Sequence, residues 1–254
     1  MADTCCPSAA PKVNVEVNYT PKGAYETYCG FKNYVTGSKH AKRAVLSIYD
    51  IFGYFPQTLQ GADILAEALD ALVVIPDLFK GEPYDYSLFP PDSAEKKAIF
   101  QEFWKTKADF GKNQAAIRQI TGALKDEFKS VEKWAIIGYC WGGKIATLVS
   151  GEGGIFAASA QIHPAALDPT DALALTTPHF CYASKDEPAE AVAKFEENLK
   201  SHSNPVVRER SIVDIKRDMF HGWMAARAKL DDETYRKGYQ EGYEKVAAFL
   251  SKNL

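Results

Sequence analysis

"IIGYCWGGK", Ile136 to Lys144, runs from an apolar, β-branched stretch into a cysteine framed by glycines, and the chain continues as "IATLVS" with helical character. The order Gly138-x-Cys140-x-Gly142 is that of a sharp strand-to-helix turn which lifts its middle side chain out of the sheet, with sulfur where a serine oxygen commonly stands. Glycine is needed at the flanking positions because the turn brings neighbouring backbones too close for a Cβ atom. Cys140 then lies at the amino end of a helix starting near Trp141, where free N–H groups and the helix dipole favour a thiolate. The competing reading of the five residues alone is a small apolar cysteine packed in a glycine-rich core.

Outward from this turn the pattern repeats. From Ala44 on, short β-rich runs alternate with longer amphipathic ones: "AVLSIYD", "QTLQGADILAEALDA", "LVVIPD", a long charged helical segment from Ser93 to Lys129, and "KWAIIGY". After the turn come "FAASAQIH", "HFCYAS", helix-like "PAEAVAKFEENLKSH", "VVRERSIV" and the closing "DDETYRKGYQEGYEKVAAFLSKNL". Such alternation predicts βαβ units, hence an α/β domain with a mainly parallel sheet and helices on both faces. Residues 1–20 are expected to be an N-terminal tail rich in Pro, Ala and Ser ending in an edge strand near Val13 to Tyr19, and residues 21–254 a single domain. The segment "FKGEPYDYSLFPPD", Phe79 to Asp92, carries too many turn formers for a core element and predicts a loop at a carboxyl strand end, where open α/β sheets bind ligands.

Composition narrows the function classes. A net charge of −3 supplies no basic field for nucleic acid, and no apolar run is long enough to span a membrane. The start, "MADTCCPSAAPK", lacks the basic and apolar blocks of a signal peptide, so a cytoplasmic location is expected, with reduced thiols. Five cysteines, Cys5, Cys6, Cys29, Cys140 and Cys181, are few and odd in number, without metal-ligand spacing; neither a disulfide framework nor a metal is expected. No Gly-x-Gly-x-x-Gly or phosphate-loop motif appears, and no cofactor is expected.

A thiol nucleophile at such a turn requires a base and an acid on the same sheet edge, in the chain order nucleophile, acid, histidine. "YASKDEP" supplies Asp186 and "MFHGW" supplies His221, each just past a strand-like run. His163 in "QIHPAAL" also follows a strand but precedes the acid and is the alternative base; Asp214 and Asp218 are the alternative acids. His179, inside an apolar run, reads as a core histidine, while His40 and His202 fall in polar stretches expected to be exposed.

With "SIYDIFGY", "GYCWGGK", "SKDEP" and "FHGW" in this order, the chain resembles the dienelactone hydrolase family of α/β-hydrolases, in particular its fungal-type members, from about Tyr25 to the C-terminus. The resemblance implies the α/β-hydrolase fold and a triad of Cys140, Asp186 and His221, with an oxyanion hole made by the backbone N–H groups of Ile51 and Trp141. In bacterial members a glutamate that contacts the resting thiol stands where this chain has the shorter Asp50. Where bacterial members carry substrate-carboxylate arginines, the 79–92 loop has Lys80, Tyr84 and Tyr86 and no arginine, with Arg227 the counterpart of the arginine after the histidine, so the resemblance does not carry their substrate across. Phe52, Tyr54, Phe55, Tyr84, Tyr86, Trp141 and Trp223 are candidates for apolar walls of a cleft.

The resulting expectation is a hydrolase, monomeric or homodimeric, cleaving a small-molecule ester or lactone with a stabilised leaving group through a thioester. A non-catalytic ligand-binding homologue and an acyltransferase or thioesterase are the alternatives.

Overall fold

The computed structural model describes residues 14–151, 153 and 155–254. The apolar runs become strands β1 (Ala24–Tyr28), β2 (Phe31–Thr36), β3 (Arg43–Ile48), β4 (Leu72–Pro76), β5 (Lys133–Tyr139), β6 (Ala158–Ile162), β7 (His179–Ser184) and β8 (Ile212–Lys216). Among the described residues they form one eight-stranded sheet in the order β1-β2-β4-β3-β5-β6-β7-β8. β1 and β2 pair antiparallel to each other, β2 pairs antiparallel to β4, and every other pairing is parallel.

Every residue of β4, β6 and β7 is buried. Because successive side chains point to opposite faces, continuous burial means that both faces are covered. The connections explain how. The chain moves from β3 through α1 (Pro56–Leu69) to β4 on one side, but from β4 through α2 (Ala94–Thr106) and α3 (Phe110–Glu127) back past β3 to β5, then through α4 (Trp141–Val149) to β6. Right-handed crossovers in opposite directions place α1 and α4 on opposite faces. The later elements are α5 (Asp171–Ala174), α6 (Ala189–Lys200), α7 (Pro205–Arg210) and α8 (Glu233–Asn253), the last packing against α1 so closely that Gly61 leaves room for the Tyr243 ring. The reversal of direction falls at β3 and β5, so the loops after these strands flank a topological switch point, the place where such sheets bind ligands.

Three sequence expectations need correction. Val13 lies outside the described residues, and residues 14–20 form no strand. Instead the Glu16 N–H donates to Gln60 Oε1 (2.9 Å) and the Tyr19 hydroxyl to Asp63 Oδ2 (2.5 Å), strapping the segment across α1 while β1 takes the sheet edge. The charged stretch 93–129 is two helices, because Asp109 Oδ1 accepts the Lys112 N–H (2.8 Å) and starts a new helix where α2 has ended. "VVRERSIV" divides likewise: Asn204 caps α7, and only Ile212 onward is strand. The 79–92 segment is a loop after β4 as expected, holding a single 3-10 turn at Tyr86–Leu88.

Candidate active site

Cys140 sits between β5 and α4 with φ 53° and ψ −115°. A non-glycine residue in this region stores roughly 1–3 kcal/mol of strain and persists only where its surroundings hold it. Here both backbone polar groups are tied to the chain leaving β6: the Cys140 N–H donates to Ile162 O (3.0 Å), and Cys140 O accepts the Ala165 N–H (3.0 Å). The flanking glycines are sterically required, since a Cβ on Gly138 would overlap the Gly142 carbonyl, and one on Gly142 the carbonyls of Ile48 and Tyr49. These obstacles are backbone atoms and cannot swing aside. Gly142→Ala is therefore expected to lower unfolding free energy by about 3 kcal/mol or more, the upper range for an overpacked core, as read by urea denaturation.

His221 follows β8 and reaches the same edge. Its ring faces Cys140 on one side, and its Nδ1 donates to Glu187 Oε1 (2.6 Å) on the other. Burial alone pulls the imidazolium pKa down, but the sulfur and the Glu187 carboxylate outweigh it and raise His221 to about 10. Sulfur and carboxylate thus both favour the doubly protonated ring. Because this folded value lies above that of a free histidine, the pair's contribution to stability is complete below about pH 6.5 and is lost as pH rises through about 10.

The carboxylate at the imidazole is thus Glu187, whereas the sequence points to Asp186 there. Asp186 is exposed, and its Oδ2 accepts the backbone N–H of His221 (2.8 Å), so it fixes the loop and leaves the ring to its neighbour. Glu187 is buried, and its other carboxylate oxygen accepts the Ser184 N–H at the end of β7. Two adjacent carboxylates in "SKDEP" are visible in the sequence; which of them points inward depends on how the chain turns after β7. The alternative acids lie elsewhere: Asp214 pairs with Lys245, and Asp218 with Lys216.

Asp50, after β3, is fully buried between the Phe52 N–H on Oδ1 (2.9 Å) and the Ala226 N–H on Oδ2 (3.1 Å). It therefore ties the β3 loop to the loop carrying His221. Burial raises its pKa, the two N–H groups and the positive His221 and Arg227 oppose this, and the balance is about 6. A carboxyl with a raised folded pKa favours the fold most when protonated, and that contribution fades as pH rises from about 4 through about 6. Asp50→Asn is expected to flatten this part of the stability profile in urea titrations at pH 4 to 7; an unchanged slope would assign it to another group.

The remaining candidates divide. Phe52 is buried and meets Tyr86 (ring centroids 4.8 Å), Phe89 (5.6 Å) and Tyr84 (6.3 Å), while Tyr86 also meets Phe55 (5.3 Å) and is itself exposed. Ile51 and Tyr84 are linked through the Tyr84 N–H on Ile51 O (2.9 Å), bringing the 79–92 loop onto the β3 loop. Arg227 donates to His221 O (2.6 Å), with its guanidinium over the rings of Phe89 (5.1 Å) and Phe220 (5.3 Å). Lys80 is exposed with its ammonium over Phe31 of β2 (5.2 Å).

Three expected wall residues turn elsewhere, Trp141 and Trp223 into the core and Tyr54, half-buried, onto β4. The Trp141 side chain is wholly buried, its Nε1–H donating to Ala108 O (2.8 Å) and its ring against Phe79 (4.7 Å); Trp141 opens α4, whose first N–H groups have no intrahelical acceptor. Trp223 packs edge-on to Tyr182 (5.4 Å) over Gly242 of α8. The Tyr54 hydroxyl donates to Ile75 O (2.8 Å).

Of the other histidines, His40 is exposed and His179 is buried with Nδ1 at Ser159 Oγ (2.8 Å), both in keeping with the sequence. His202, expected to be exposed, is buried, with Nε2 at Leu173 O (3.2 Å) and Nδ1 accepting the Asn204 N–H (3.0 Å). Cys29 is exposed and Cys181 buried, both free thiols; Cys5 and Cys6 lie outside the described residues. Among the described residues no group of three or more His, Cys, Asp or Glu side chains is placed to hold a metal, and no helix is long and apolar enough to cross a membrane.

A mainly parallel sheet with a strained cysteine turn at its switch point, faced by a histidine from the loop after the last strand, defines an α/β-hydrolase-fold protein. The chain belongs to the dienelactone hydrolase family, whose sequence profile matches residues 31–252. It is 33% identical over 250 residues to an uncharacterized AIM2 family protein of Schizosaccharomyces pombe, covering 97% of this chain and 98% of that one. It is also 30% identical over 178 residues to the carboxymethylenebutenolidase homolog of Homo sapiens, covering 67% and 68% of the two chains. The dienelactone hydrolase of Anabaena variabilis superposes with a TM-score of 0.62 at 14% identity, over 90% of this chain and 95% of that one, a likeness of fold.

Proposed function

We propose that the protein is a carboxylic ester hydrolase of the dienelactone hydrolase kind, acting through a Cys140 thiolate on esters or lactones with stabilised leaving groups. The observation that carries this reading is the His221 ring held between the Cys140 sulfur and the buried Glu187 carboxylate. Membership of the family supports the same chemistry.

In this mechanism the Cys140 thiolate attacks the substrate carbonyl, and the new oxyanion is received by the backbone N–H groups of Ile51 and Trp141, Trp141 at the amino end of α4. Glu187 keeps the ring oriented and offsets its charge, so that His221 can give its proton to the departing oxygen. His221, now neutral, takes a proton from water as that water attacks the thioester, and the Cys140 thiolate leaves. Asp186 acts only as a backbone anchor.

Sulfur determines the substrate class. A thiolate leaves the tetrahedral intermediate more readily than an ordinary alkoxide, so attack on a plain alkyl ester collapses backwards. Enol-lactones, aryl esters and thioesters supply leaving groups that compete with it. The Phe52, Phe55, Tyr86 and Phe89 rings offer an apolar wall for an aromatic or conjugated acyl or leaving group.

A panel of enol-lactones, aryl esters, thioesters and alkyl esters, assayed with wild type and with Cys140→Ala, tests this reading. Turnover of the activated substrates by wild type and its loss in the variant are expected. Binding of the same compounds without hydrolysis would overturn it.

A further inference from the structure

His163 has no part in the steps above. It follows β6 directly, on the edge that carries Cys140, and is wholly buried in a left-handed conformation with φ 37°. Neither ring nitrogen meets a hydrogen-bond partner among the described residues. The buried rings of His179 and His202, by contrast, each satisfy at least one nitrogen. A buried imidazole left unpaired loses its hydration without compensation and calls for another explanation.

Its neighbour supplies one. The His163 ring packs edge to face on the His221 ring, centroids 5.2 Å apart at 64°, with Tyr139 behind it at 6.0 Å. Ile162 just before it and Ala165 two residues after it make the two hydrogen bonds that hold the Cys140 backbone in its strained turn. One short segment thus fixes the sulfur with its backbone and touches the imidazole with its side chain.

We propose that His163 is a positioning residue: its buried ring, packed against the His221 ring, keeps that ring turned toward the Cys140 sulfur. This rests on the thiolate–imidazolium reading given above. The groups facing His221 are Cys140 from the elbow, Asp186 and Glu187 from the loop after β7, Asp50 from the loop after β3, Arg227 from its own loop, and His163. A second positive charge, on His163, would be repelled by His221 and Arg227 and would find no acceptor at either ring nitrogen among the described residues. Burial and these two cations hold the His163 pKa well below its ordinary value, so it stays neutral. A neutral ring packs against an adjacent cation without the repulsion that a protonated ring would add.

The test compares alkylation of Cys140 by iodoacetamide between pH 5 and 10, followed by peptide mass spectrometry, in wild type and in His163→Asn, which tolerates the left-handed backbone. In wild type Cys140 is expected to react at neutral pH faster than exposed Cys29. In folded His163→Asn the rate at pH 7 is expected to fall about tenfold, with the profile displaced by about one pH unit toward that of a free thiol. A variant that unfolds at lower temperature but keeps the wild-type profile would overturn the proposal and leave His163 as packing.

Histidine nitrogen NMR of wild type probes the same point independently: His163 neutral from pH 5 to 9 while His221 carries two ring protons is expected, and titration of His163 within that range would overturn it. If Cys140 in wild type reacts no faster than Cys29, the catalytic reading falls and takes this one with it. A fast wild-type thiol with an unaltered His163→Asn profile defeats only the role of His163.

Discussion

Cys140→Ala is expected to lower kcat/KM for an aryl ester by about four orders of magnitude or more, the loss seen when a nucleophile is removed from a site whose other parts remain. Cys140→Ser should recover little of it, although it changes one atom. On the proposed mechanism a thiolate attacks, whereas a serine hydroxyl, a far weaker acid, must be deprotonated by the His221 ring during attack. Cys140 is only partly buried where it packs against the core, and both replacements are no larger than cysteine, so both variants should fold. Cys140→Gly separates strain from chemistry: with φ at 53°, glycine relieves an unfavourable backbone, and the inactive variant is expected to unfold about 1 kcal/mol harder than Cys140→Ala. Thermal and urea unfolding alongside steady-state kinetics read both effects.

The second large effect distinguishes two adjacent carboxylates. Glu187→Gln keeps the shape of the side chain that meets His221 Nδ1 but removes its charge, and a loss of about 10²- to 10⁴-fold in kcat is expected, as for other histidines deprived of their carboxylate. Asp186→Asn keeps an oxygen to accept the His221 backbone N–H and should cost less than about tenfold. The Glu187 change should also lower the pH at which His221 loses its second proton, a shift visible in the alkaline limb of the rate profile. Equal losses in the two variants, or a larger one for Asp186→Asn, would return the orienting role to Asp186.

The β-rich runs around Val45, Val74 and Ile137 are legible in the sequence because a strand buried on both faces is apolar at nearly every position, and the cysteine turn because its glycines answer a backbone overlap that no other residue avoids. The chain order of thiol, acid and histidine locates three loops that do converge. It cannot rank Asp186 above or below Glu187, since inward and outward positions at the end of β7 are decided by the turn at Ser184, whose N–H itself bonds Glu187. Trp141 and Trp223 mislead for a related reason: aromatic residues beside a site read as cleft walls, yet here the Ala108 carbonyl and the Gly242 face of α8 draw them into the core. Residues 14–20 carry alternating apolar character without strand partners, because their polar groups find Gln60 and Asp63 on α1 first.

Sulfur at position 140 is expected to form a covalent acyl intermediate. Rapid-quench mass spectrometry of tryptic peptides after mixing with an aryl ester tests it most directly. An acyl mass on the peptide containing Cys140, removed by hydroxylamine, formed in a burst and decaying at the steady-state rate, is the predicted result. Hydrolysis proceeding with that peptide unmodified throughout, and undiminished in Cys140→Ala, would contradict it.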